Sequence, residues 1–370
     1  MKRVFQLAYS LNLAGTENVF MNWYRYIDRT KIQFDFGVLH KFDTPVSKEI
    51  INLGGRICII ERGEGLINRI KFLLRLYKTL KKNGPYIAFQ SHDHFLCGFV
   101  CAVAFFAGIK KRFSISHYND GENKITFIDR IKRFISRIFI YVFVTERLAV
   151  SYDAGKTLYG NYLGFDIVSN GIDCNKFSYN PEKRNILRKK LGLEDKYVVG
   201  HIGRFSEQKN HKFLIDIFAE IYKREKSAVL LLLGFGPLEN EIKTKVKSLG
   251  LEKVVRFEGV KEDVQDYYQV FDVFVFPSLF EGCGIVALEA QCCGLPCIMS
   301  NAIPKETFVC NSKVVSLNCS AKTWADSILN NKNEFVRKDE SSSLRNAGYD
   351  AKEIGKLIEE KYLNQSNRTK

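Results

Sequence analysis

Two acids, Glu281 and Glu289, stand with seven residues between them in the stretch Pro277-Ser278-Leu279-Phe280-Glu281-Gly282-Cys283-Gly284-Ile285-Val286-Ala287-Leu288-Glu289. The apolar run 273–276 reads as a strand that stops at Pro277, and Gly282 and Gly284 permit a close turn into a helix. Such a turn points the amides of Gly284, Ile285 and Val286 outward at a positive helix end, a ready place for phosphate. Glu281 falls in the loop ahead of that end. Glu289 falls more than one turn inside the helix, where an acceptor-only carboxylate can hold a ribose diol. The same pair also reads as two solvated glutamates around a helix cap.

A second stretch, Gly203-Arg204-Phe205-Ser206-Glu207-Gln208-Lys209-Asn210, likewise follows a strand and precedes a helix. Arg204 as a fork and Lys209 as a point charge are placed to neutralise a diphosphate; taken alone they read as surface cations. Two further strand-end turns, Gly234-Phe235-Gly236-Pro237 and Phe257-Glu258-Gly259-Val260, fit ordinary turn chemistry. All four segments leave the carboxyl ends of strands, which is where open parallel sheets bind ligands. That shared edge is more specific than any one segment.

The elements that must position these residues alternate strand and helix along the whole chain. In the first half, strands are expected near 4–9, 34–39, 56–60, 86–90, 112–117, 143–150 and 167–168. Helices are expected over 18–28, 66–82, 95–109 and 124–141. In the second half, strands are expected over 198–202, 229–233, 254–258, 273–276 and 296–299. Helices are expected over 211–224, 238–249, 264–270, 284–293 and 349–364. The polar stretch 175–185, with Pro181, reads as an interdomain boundary. The pattern predicts one α/β architecture twice over, each with a parallel sheet and covering helices.

The composition is that of a globular chain: of 370 residues, 46% are hydrophobic and 26% charged. The net charge of +15 is uneven, with 26 Lys and Arg against 15 Asp and Glu in residues 1–180. The first half therefore suits an anionic membrane, nucleic acid or a phosphorylated substrate. The ten cysteines form no CxxC and no zinc spacing, and are expected to be reduced, mostly buried thiols of a cytoplasmic protein. Gln6, Ser10 and Asn12 interrupt any signal-peptide core, and the longest uncharged run, 95–109, is short for a membrane span. His92-Asp93-His94 lacks a nearby third ligand set, and reads as a polar strand end rather than a metal site.

The run from Gly203 to Glu306 resembles the nucleotide-sugar domain of retaining glycosyltransferases of the GT-B fold, family 4 (group 1). The first half is similar to the bacterial exopolysaccharide and capsular polysaccharide branch. It matches through Gly15-Thr16-Glu17, Ile27-Asp28, Gln33-Phe34-Asp35-Phe36, Glu49-Ile50, Gly54-Gly55-Arg56, Ile115-Ser116-His117-Tyr118-Asn119, Ser151 and Asn170-Gly171-Ile172-Asp173. The resemblance covers nearly the whole chain. It implies two facing Rossmann-like domains with a cleft between them and a C-terminal helix crossing back. The expected boundaries are 1–178 for an acceptor domain, 179–345 for a nucleotide-sugar domain and 346–370 for the returning helix and tail.

The resemblance further implies that Arg204 and Lys209 grip the donor diphosphate, that Glu281 approaches the sugar ring, and that Glu289 holds the ribose. His117 stands beside the reacting sugar. Gly15, Gly203, Gly234, Val260, Gly282, Gly284 and Ile285 complete the nucleotide-sugar contacts. No metal or other cofactor is implied, and no DxD motif occurs; cations and helix ends then stabilise the leaving diphosphate. The chain departs from the family pattern at Ala14, Phe235 and Cys283.

The expected reaction moves a hexose from a nucleotide-diphosphate donor, a UDP-sugar by analogy, to a lipid-linked saccharide. A UDP-sugar 2-epimerase of the same fold and a non-catalytic basic membrane- or RNA-binding module remain as rivals. A dehydrogenase is disfavoured because no GxGxxG follows the first strand. The apolar faces of 66–82 and 124–141 are expected mainly to cover the first sheet. Outward cations such as Lys132, Arg133 and Arg137 are then left to dock on anionic lipid, which would make the protein peripheral on the inner membrane face.

Overall fold

A computed structural model describes the chain except residues 9, 12–14, 42, 118–125, 331, 333–334 and 365–370, and except the side chains of residues 15, 16, 18 and 128. The backbone divides into two units, Met1–Gly171 with Ala351–Lys370, and Ile172–Asp350.

The first unit runs β1 (Lys2–Leu7), α1 (Gly15–Tyr26), β2 (Ile32–Val38), α2 (Pro45–Asn52), β3 (Arg56–Ile59), α3 (Leu66–Asn83), β4 (Ala88–Ser91), α4 (Cys97–Phe106), β5 (Lys111–Ser116), α5 (Phe127–Phe143), β6 (Glu146–Ala149), α6 (Tyr152–Tyr159) and β7 (Asp166–Ile167). Its strands are all parallel, in the order β3-β2-β1-β4-β5-β6-β7. The order reverses between β1 and β4, so a crevice opens beyond their carboxyl ends. At the opposite edge, buried Asp35 of β2 is held by Arg3, Arg56 and the Tyr86 hydroxyl. That part of the family-like sequence therefore serves the sheet, not the chemistry.

The second unit runs α7 (Pro181–Leu191), β8 (Tyr197–Ile202), α8 (His211–Arg224), β9 (Ala228–Leu233), α9 (Glu239–Ser248), β10 (Val255–Gly259), α10 (Val264–Val270), β11 (Val273–Phe276), α11 (Ile285–Cys292), β12 (Cys297–Ser300), β13 (Ser312–Val315), α12 (Ala321–Asn330) and α13 (Ser341–Asn346). Its sheet is again parallel, in the order β10-β9-β8-β11-β12-β13, and reverses between β8 and β11. The last helix, α14 (Ala351–Leu363), belongs to the first unit and packs on α1. Gly171 lets the chain pass there: a Cβ on it would lie 2.6 Å from the Ala351 Cα.

Both sheets are the parallel α/β layers expected from the alternation. Three expectations change. Residues 175–185 are not wholly a linker. Pro181 opens α7, where its missing N–H costs nothing, the Asn180 side chain accepts from the Lys183 amide at 2.8 Å, and left-handed Gly192 closes the helix. Helices α2, α6, α12 and α13 and strand β13 have no counterpart in the expected list.

The third change concerns α5, whose apolar stripe does not cover the sheet. Phe127, Phe134 and Tyr141 are 77%, 66% and 71% exposed, and Ile131, Ile135, Ile138 and Val142 are exposed beside them. The face turned inward carries Ser136, which donates to the Phe95 carbonyl at 2.6 Å. Arg133 lies over the Phe95 ring, and Arg137 donates to the carbonyls of Leu158 and Thr157. Gly98 of α4 lets this face approach, since a Cβ there would meet the Phe139 Cβ at 2.7 Å. Arg133 and Arg137 are thus spent inside the unit. Neighbouring α3 splits its apolar residues: Phe72, Leu76 and Leu80 are buried, while Leu66, Ile67, Ile70 and Leu74 are exposed.

Candidate active site

At the switch point of the second sheet two of the sequence's charged residues, Lys209 and Glu281, meet. Lys209 lies in the loop after β8 and Glu281 in the loop after β11, and these strands are neighbours. The Lys209 ammonium donates to Glu281 Oε1 at 2.6 Å, with both side chains largely buried. Below it, the Phe276 ring centroid is 4.7 Å from Nζ, so the cation also faces a π cloud.

The two loops are stitched together. The Leu279 amide donates to the Gln208 carbonyl at 2.8 Å, and the Gln208 side chain to the Phe280 carbonyl at 3.0 Å. Asn210, left-handed at φ 54°, donates from Nδ2 to the Pro277 carbonyl at 3.2 Å. Asparagine tolerates that backbone better than most residues. Gln208 and Asn210 are positioning residues that the sequence reading missed; an Asn directly after a charged turn and before a helix was the available signal.

The glycines fit close backbone. A Cβ on Gly234, at φ 129°, would sit 2.1 Å from the Gly203 carbonyl oxygen, which packs the loops after β8 and β9 together. Gly284, left-handed at φ 71°, caps α11 without a side-chain hydrogen bond, so the start of that helix at Ile285 keeps its amides for a ligand. Gly282 is in the preceding loop, and Val260 is exposed just past β10. Arg204 is exposed after β8, with no carboxylate ion pair among the described residues. It shares the Lys209 loop but not the ion pair.

Glu289, inside α11, is buried against Tyr268, whose hydroxyl donates to Oε2 at 2.8 Å and also to the Val286 carbonyl at 3.0 Å. Burial raises its carboxyl to about 7, against the smaller opposing pull of Tyr268 and Lys176. Tyr268 was a second miss; it lies on α10, and nothing in the spacing of α10 and α11 reveals their contact.

His117 lies just beyond β5 in the first unit, away from the residues above in chain order. It pairs with His92, which lies just beyond β4, the strand beside β5. Burial lowers His117 to about 3 and His92 well below its ordinary value, so both rings are uncharged near neutrality. His92 of the expected polar strand end is therefore a partner of His117. Gly15 opens α1, but residues 12–14 ahead of it, with the departure at Ala14, lie outside the described residues, as do Tyr118 and Asn119.

At the switch point of the second parallel sheet a lysine and an acid are paired among close-packed glycines and beside an open helix start. Residues 183–349 match the family described as glycosyl transferases group 1. The chain is 33% identical over 96% of its length to the putative glycosyltransferase EpsF of Bacillus subtilis, covering 95% of that protein. It is 26% identical over 78% of its length to the Escherichia coli UDP-Gal:alpha-D-GlcNAc-diphosphoundecaprenol alpha-1,3-galactosyltransferase, covering 76% of it. The crystal structure of Anabaena HepE in complex with UDP and glucose shares the fold, with a TM-score of 0.79 at 19% identity over 98% of this chain and 99% of that one. The chain belongs to the group 1 glycosyltransferases, and it is a transferase of the GT-B fold.

Proposed function

We propose that this protein transfers a hexosyl group, with retention of anomeric configuration, from a UDP-sugar to a lipid-linked saccharide during surface polysaccharide synthesis. The observation that carries the reading is the Lys209–Glu281 pair at the switch point, beside the open start of α11. Lys209 and Arg204 take the charge of the diphosphate as it leaves, together with the helix start. Glu281 steers the sugar ring, Glu289 takes the ribose hydroxyls, and the leaving phosphate helps deprotonate the acceptor. The reaction uses no metal and no cofactor.

The lipid-linked acceptor is supported by the name of the Escherichia coli relative and by the outward apolar stripe of α5. Among the described residues no helix is long and apolar enough to cross a membrane. Contact with anionic lipid at the cytoplasmic face is therefore by a surface.

The test is a melting-temperature panel of nucleotides. UDP and UDP-hexoses are expected to raise the midpoint, because they bind only the folded protein. A carboxylate accepts from two hydroxyls at once, and Glu289 ionises near pH 7. The UDP-induced rise should therefore grow from about pH 6 to about pH 8 in the wild type. It should be small and flat in Glu289→Gln. No shift with any nucleoside diphosphate or its sugars would overturn the reading.

A further inference from the structure

At the switch point of the second sheet the backbone pairing of β8 with β11 stops at Gly200 and Phe274. One residue further on, the side chain of His201 takes over, and its Nδ1 meets the Val275 carbonyl at 2.8 Å. A carbonyl only accepts, so Nδ1 carries the proton. His201 is fully buried, with its ring nearly parallel to Phe274 at 6.2 Å between centroids and 6.0 Å from Phe276. The imidazole thus spans the two strands just before the loops that carry Lys209 and Glu281.

Its other nitrogen, Nε2, is buried and bonds no described residue. A Cβ placed on Gly203 would lie 3.2 Å from that nitrogen and 3.2 Å from both Cγ and Cδ of Lys209. Nε2 and the lysine stem therefore flank one point, with no side chain on Gly203 between them. His211, the first residue of α8, stands nearly perpendicular to the rings of His201 and Phe205, at 4.7 and 4.5 Å between centroids, and gives Nε2 no hydrogen bond. Burial, opposed by the Val275 bond and helped by the nearby Lys209 charge, lowers His201 to about 4. The ring is uncharged near neutrality, and Nε2 is a bare acceptor.

Lys209 Nζ lies two bonds beyond Cδ. It is held by Glu281 Oε1 at 2.6 Å, over the Phe276 ring. An ammonium has three N–H groups, and rotation about the last side-chain bonds sweeps Nζ while the stem stays in place. A diphosphate competes with Glu281 for this lysine. An ammonium that leaves a buried carboxylate needs other acceptors, or the cost of burying its charge is left uncompensated.

We infer that His201 is a positioning residue that offers its Nε2 to the Lys209 ammonium when a nucleoside diphosphate draws that lysine off Glu281, so that Lys209 changes partner without leaving the crevice. This rests on the proposed function, in which Lys209 takes the diphosphate charge. Every group named belongs to the second unit.

The test has two arms. Nitrogen NMR of the imidazoles in the intact protein is expected to show His201 with a protonated Nδ1 and a bare Nε2. Saturating UDP is expected to move the Nε2 resonance toward that of a hydrogen-bonded acceptor. The shift should be lost in Lys209→Met at UDP levels that saturate the variant by its melting midpoint. In the second arm, the dissociation constant for UDP is measured in a double-mutant cycle. His201→Asn, whose amide still has an N–H for Val275, should weaken UDP binding about tenfold with Lys209 present and change it little in Lys209→Met. A merely structural histidine would give equal losses in both backgrounds. Equal losses, a wild-type Nε2 resonance that ignores bound UDP, or a shift that persists in Lys209→Met overturns the inference. The NMR arm on wild-type protein decides it even where His201→Asn is too unstable to titrate. UDP that neither moves a resonance nor raises the melting midpoint would instead defeat the nucleotide reading, and the change of partner with it.

Discussion

Lys209→Met and Glu281→Gln are each expected to lower kcat about a thousandfold, and the double variant is expected to be little worse than either single one. The pair is a unit: the ammonium and carboxylate are 2.6 Å apart, largely buried, over the Phe276 ring. Removing the cation leaves a carboxylate in the place of the incoming diphosphate, which repels it. Removing the acid leaves the lysine free to swing from the sugar side of the loop. Either change spoils the geometry the other residue depends on, so the two losses overlap. The substitutions keep side-chain length to avoid a cavity, yet each leaves its partner's charge unpaired, and stripping one partner from a buried pair costs about 3–5 kcal/mol, so stability is measured beside activity. Alanine at either position is expected to abolish transfer too. Single-turnover kinetics with a melting curve for each variant checks this; near-normal turnover in any of them would remove the pair from the mechanism.

The second large effect is on membrane binding. The triple variant Phe127→Ser, Phe134→Ser, Tyr141→Ser is expected to lose nearly all binding to vesicles containing anionic lipid, with an unchanged melting temperature. These side chains are mostly outward, so their loss costs the folded state little. Against a bilayer each buries a large apolar surface, with Arg130 and Lys132 exposed on the same helix to meet headgroups. Charge reversal at Arg133 or Arg137 is a poorer probe, because both serve the fold. Cosedimentation decides it. Unchanged binding by the triple variant would place the membrane contact elsewhere or nowhere.

The alternation of apolar runs made both sheets legible, and α8, α10 and β11 appear with the expected ends, because a doubly covered parallel sheet needs continuous apolar strands and amphipathic helices. Proline misled once: at 181 it starts a helix rather than breaking one, and only the Asn180 cap before it tells the two apart. Periodicity found the stripe of α5 but not its direction. A stripe says which residues share a face, while Ser136, Arg133 and Gly98 decide which face is inward, and that requires knowing the neighbour.

Within the candidate site, the placement of Arg204, Lys209 and Glu281 on strand-end loops was readable because a strand–turn–helix pattern is local in sequence. Partners from other elements were not. Tyr268 reaches Glu289 from α10, His92 reaches His117 from the next strand, and Tyr362 reaches Gln6 across 356 residues of sequence. No spacing rule encodes such contacts. They follow from strand order, which the sequence implies only after the fold is known.

The most direct check is the anomeric configuration of a transferred sugar. The protein is incubated with an α-linked UDP-hexose and a diphosphate-lipid-linked saccharide, and the new linkage is read by proton NMR of the product. An α linkage, formed without added metal and lost in Lys209→Met, is the predicted result. A β linkage, or a sugar altered while still attached to UDP, would contradict a retaining transfer at this site.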